Sequence, residues 1–152
     1  MNVALLRLAT ALLLMAGTVA HAGGRLTVED AWIRAAPPGA MMLAGYMALG
    51  NTGDASVVLD AADSDAFGDV SMHRTVEEDG VARMRPLERV TVAPGQRVTF
   101  APGGMHLMLM QPKRALHPGD RITIRLRHAD GTTTSVEFAV REDAPEVGHA
   151  GH

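Results

Sequence analysis

The chain has 152 residues, 14 of them basic and 17 acidic, a formal charge of −3, and no cysteine. Without a basic run there is no electrostatic footprint for nucleic acid. Without cysteine there is no disulfide framework, and no thiolate to offer a metal or an electrophile.

Residues 1–22 carry Arg7, an apolar run from Leu8 to Ala16 and a small-x-small site at Ala20-His21-Ala22. This is the pattern of a cleaved secretory signal peptide. The apolar run is shorter than the ~20 residues a membrane span needs, so stable membrane insertion is not expected. Residues 23–141 are then predicted to form one domain, large enough to bury its own core. Residues 142–152 combine acid, proline, glycine and two histidines with nothing to bury, and read as a flexible tail.

Within the domain, Arg25 to Arg34 reads as one or two short strands, and Ala35-Ala36-Pro37-Pro38-Gly39 as a loop. Met41 to Leu49 is an apolar run closed by Asn51-Thr52-Gly53-Asp54, which predicts a buried strand with Met47 as core filler. Ser56 to Ala61 follows as a strand. Val70 to Val76 and Val81 to Leu87 flank Glu77-Glu78-Asp79-Gly80, a hairpin signal. Short strands are then expected at Val90–Val92, Arg97–Phe100 and Met105–Met110, separated by Pro/Gly turns. Arg121 to Arg127 alternates with Ile122, Ile124 and Leu126 on one face, and Thr134 to Val140 with Val136, Phe138 and Val140. Many short strands and no convincing helix imply an all-β sandwich or Greek-key barrel.

The chemically loaded stretch is Ser71 to Met110. It holds His73, ten residues, Met84, twenty-one residues, then His106-Leu107-Met108. Thioether sulfur suits soft Cu(I) and imidazole tolerates several metals, so the four side chains form a plausible copper set if they can meet. Strand alternation puts His106, Met108 and Met110 on one face, with Met105, Leu107 and Leu109 on the core side. The position of Met84 depends on the hairpin register. If Val76 pairs with Val81, His73 lies directly opposite Met84; a two-residue Asp79-Gly80 turn makes them diagonal neighbours on one face; a three-residue loop with a bulge breaks the parity. His117 and His128 sit in turns and are expected to face solvent.

The spacing His73-x10-Met84-x21-His106-x-Met108 resembles the signature of the periplasmic copper chaperone family PCuAC. Ala31-Trp32-Ile33-Arg34, Pro37-Pro38-Gly39, Tyr46, Asn51, Met84-Arg85-Pro86 and the run His106 to Met110 extend the resemblance over most of residues 23–141. It implies a cupredoxin-like fold and one exposed Cu(I) held by His73, Met84, His106 and Met108. It also implies periplasmic delivery toward cytochrome c oxidase, through its subunit II or a Sco-type thiol protein. Thr75 and Ala82 stand where the family usually has further methionines. The tail histidines His149 and His152 are a thin version of the His-rich tails of some relatives, suggesting a weak Cu(II) site.

Handover by ligand exchange needs no catalytic acid, base or nucleophile, so an enzyme is not expected, and a monomer suffices. A blue-copper electron carrier would need a cysteine thiolate with two histidines. The remaining rivals are a secreted β-sandwich interaction module and a copper-storage or scavenging protein without a delivery role.

Overall fold

The computed structural model describes residues 23–143. The expected signal peptide and the tail histidines His149 and His152 lie outside these residues. Ten strands and no helix are present among the described residues: β1 Leu26–Arg34, β2 Met42–Asn51, β3 Val57–Asp63, β4 Phe67–Glu78, β5 Val81–Pro86, β6 Val90–Val92, β7 Arg97–Phe100, β8 Met105–Pro112, β9 Arg121–His128 and β10 Thr133–Arg141. The all-β, single-domain expectation holds. β4 starts earlier than the sequence pattern suggests, at Phe67, because Phe67 and Val70 both turn into the core across the intervening Gly68-Asp69.

The strands form one hydrogen-bonded sheet in the order β5-β4-β8-β7-β2-β1-β10-β9-β3-β6, with β8 also pairing directly with β2. Most pairs are antiparallel; β1 with β10 and β7 with β8 are parallel. Buried side chains from distant parts of this sheet, including Leu107 and Leu109 of β8, Leu59 of β3, Val92 of β6, and Ile124 and Leu126 of β9, belong to a single apolar cluster. The sheet therefore curls over one core, with alternate residues of each strand pointing into it. This is the all-β sandwich that the strand pattern implied, of the cupredoxin-like kind that the family resemblance implied.

Asn51 is the principal polar group inside. Its Oδ1 accepts from the Arg25 and Gly53 backbone N–H groups, and its Nδ2 donates to the Ala55 and Val92 carbonyls. One side chain thus ties the start of β1, the turn after β2 and the end of β6 with its hydrogen-bonding capacity filled.

Candidate metal centre

The register of the β4–β5 hairpin decides where Met84 stands. Glu78 pairs with Val81 across a two-residue turn in which Asp79 and Gly80 both have positive φ, 53° and 74°. Asp-Gly is the sequence that tolerates this type of turn, whose twist matches that of the flanking strands. Thr75 consequently faces Met84 and His73 faces Pro86, so Met84 is the diagonal neighbour of His73 on one face of the sheet. Of the registers the sequence allowed, this is the one with the Asp79-Gly80 turn.

On its other side β4 pairs with β8, and here His73 is directly opposite His106, with Ser71 opposite Met108. The two imidazoles lie nearly parallel, 18° apart in plane, with ring centroids separated by 5.9 Å. Leu107 and Leu109 point inward as expected, and Met105 packs partly against the core. All four sequence-selected side chains therefore emerge on the outer face of β5-β4-β8.

Each imidazole has a buried nitrogen without a protein partner: Nδ1 of His73 and Nε2 of His106. His106 is 6% exposed. Its Nδ1 lies 3.2 Å from the Gly104 carbonyl oxygen, which can only accept, so the proton is assigned to Nδ1 and the lone pair to Nε2. The same carbonyl accepts the Thr75 backbone N–H, which anchors it to β4. An unsatisfied buried polar atom costs about 1–3 kcal/mol, so two side by side call for an electrophilic partner. Burial, followed by the neighbouring His106, pushes the His73 pKa below its ordinary value, against a smaller opposing pull from Asp69. His73 thereby keeps its lone pair free to lower pH.

The sulfur side differs. Met84 is 52% exposed on β5, a strand with every residue at the surface. Met84, His106 and Met108 line a cavity of about 230 Å³, together with Arg34, Ala35, Ala36, Pro37, Met42, Leu43 and Ala44. No carboxylate lines it. Among the described residues no three His, Cys, Asp or Glu side chains converge as a metal-binding group. The donors gathered here are neutral imidazole and thioether, a set that favours a soft monovalent ion over hard or divalent ones.

Sequence reasoning overlooked Met42. It opens β2, pairs with Met110, and shares a face with Ala44, which pairs with Met108. The signal available was the Met41-Met42 doublet one residue after Pro37-Pro38-Gly39, which reads first as the start of a core strand. His117 is exposed as expected. His128 is not left to solvent: it is half-buried, and its Nε2 lies 2.7 Å from the Thr134 hydroxyl.

Fold and side chains together define a small single-domain β-protein with imidazoles and thioethers gathered on one face of its sheet. Residues 26–140 match the LpqE-like family, described as "Putative lipoprotein LpqE-like", and the chain belongs to that family. It is 34% identical over 116 residues to "Putative lipoprotein Lxx21020" of Leifsonia xyli subsp. xyli (strain CTCB07), covering 76% of this chain and 69% of that protein. The fold superimposes on the copper-bound PCuAC domain from PmoF2 with a TM-score of 0.65 and 25% identity, covering 80% of this chain and 95% of that domain. It is similarly close to CuI-DR1885 from Deinococcus radiodurans, with a TM-score of 0.63 and 29% identity, covering 77% and 78%.

Proposed function

We propose that this protein is an exported copper chaperone. It holds one Cu(I) through His73 Nδ1, His106 Nε2 and the sulfurs of Met84 and Met108, and releases it by ligand exchange. The observation that carries the reading is the pair of buried, partnerless imidazole nitrogens on adjoining strands, beside two thioethers on the same face. Similarity to the PCuAC domain of PmoF2 and to DR1885, both described with copper, supports the choice of metal.

Copper here is cargo. The imidazoles are held in the sheet, and the half-exposed Met84 is the ligand most readily displaced. That exposure favours delivery over storage, since a storage site gains from enclosing its metal. The acceptor must offer stronger ligands, such as thiolates or a histidine-thiolate centre. Subunit II of cytochrome c oxidase and Sco-type thiol proteins have that chemistry, and the N-terminal leader pattern supports export, with the exchange proposed for the periplasm.

Anaerobic titration of the exported domain with Cu(I), against a competing chromophoric chelator, tests the reading. One Cu(I) per chain is expected for the wild type, and none for the Met84→Ala/His106→Ala double variant. Failure of the wild type to compete would leave a secreted β-module.

A further inference from the structure

We propose that Met42 is a transfer ligand: a fifth soft donor that takes hold of the copper as it leaves the resident site. This rests on the copper reading above and concerns the exit path from the same face.

Four observations place it there. Met42 lines the same cavity as Met84, His106 and Met108. The β2–β8 register, with Met42 opposite Met110 and Ala44 opposite Met108, makes Met42 a diagonal neighbour of Met108. The intervening Leu43 is buried in the core, so Met42 itself points away from the core. Finally, Met42 is 47% exposed, so packing does not account for a large apolar side chain at this position.

The thioethers are thus arranged in sequence across the sheet. Met84 stands on β5, Met108 near the middle on β8, and Met42 on β2, at the other side of the cavity. The residue facing Met108 on β2 is Ala44, whose small side chain leaves the space between Met108 and Met42 open. A three-bond flexible thioether can sweep such a gap. In the exchange step, one Cu–S bond forms to Met42 as the Cu–S bond to Met84 breaks. Copper stays Cu(I) throughout, no proton moves, and the coordination number is kept. The ion, still held by the imidazoles, is then turned toward the loop Ala35–Pro37 on the other wall of the cavity, where an acceptor ligand can complete the transfer.

Met41 provides an internal control. It is exposed as well, but it does not line the cavity. Stopped-flow transfer of Cu(I) from loaded protein to bathocuproine disulfonate would be measured for the wild type, Met42→Leu and Met41→Leu. Leucine nearly conserves volume and apolar character while removing the thioether donor. Met42→Leu is expected to retain one Cu(I) per chain and release it about tenfold more slowly, equivalent to ~1.4 kcal/mol on the barrier. Met41→Leu is expected to match the wild type. Unchanged release by Met42→Leu, or equal slowing in both variants, would overturn the proposal while the chaperone reading stood. Loss of bound copper in Met42→Leu would make Met42 a resident ligand and overturn the transfer role. A wild type that binds no Cu(I) would instead remove the proposed function itself.

Discussion

Two stretches of the outer surface are built on the same alternation and end up chemically opposite. On β9 and its neighbours the outward side chains are mutually satisfied. Arg125 pairs with Asp63 and Asp65, Arg127 with Asp60, and Arg121 with Glu137. Hydrogen bonding to Arg125 holds the Asp65 carboxyl below its usual range. On β4, β8 and the start of β2 the outward side chains include His73, His106, Met108 and Met42, with two imidazole nitrogens left unmatched. Inward, both regions insert leucines and isoleucines into the same core. What separates them is whether the outward row finds its partners inside the chain or must take one from outside.

The strongest way to break this contrast is to remove donors from the unmatched face. His106→Ala combined with Met84→Ala should abolish Cu(I) competition, while Arg125→Gln should leave it untouched; chelator titration reads both. Next in size is the shared core beneath. Leu107→Ala should cost about 2–5 kcal/mol in urea unfolding, because it opens a cavity directly under the strand that carries His106 and Met108.

Acid sharpens the contrast further. The His73 pKa is lowered in the folded apo-protein, so on acidification the unfolded chain takes up that proton first. The stability associated with neutral His73 is therefore present above the ordinary histidine pKa of about 6.5, and is lost as pH falls below it toward the folded value. Urea midpoints at a series of pH values should decline through that window. His73→Leu should flatten the decline. The smallest effect belongs to the matched face. Asp65→Asn exchanges an exposed, screened ion pair for a neutral contact, and should shift the midpoint barely at all, less still in high salt.

Much of this architecture could be read from the sequence, for local reasons. β9 and β10 alternate with period two, and their inward residues Ile122, Ile124, Leu126, Phe138 and Val140 are the buried ones. Asp79-Gly80 offered the correct turn, and with it the diagonal placement of His73 and Met84. The direct opposition of His73 and His106 could not be read in that way. It depends on pairing between β4 and β8, whose register is set by the packing of Val70, Met72, Leu107 and Leu109 on the other face. Met42 was hidden for a related reason. An apolar run predicts a buried strand, and only the β2–β8 register separates its outward first residue from its inward second. The early start of β4 was likewise masked by Gly68 and Asp69, which interrupt the apolar pattern but not the ladder.

The saturated side chain of Asn51 gives the molecule a polarity along its length. Asn51 closes β2 at one end and Met42 opens it at the other, about 30 Å away for ten extended residues. One end is cross-tied through four hydrogen bonds; the other carries the half-exposed Met41 and Met42. Transient opening will therefore begin at the end that exchanges ligands and die out toward the cross-tie, so amide protection should grade along a single strand. Such a gradient lets the face loosen for a visiting acceptor while the far end preserves the register that brings His73 and His106 back together.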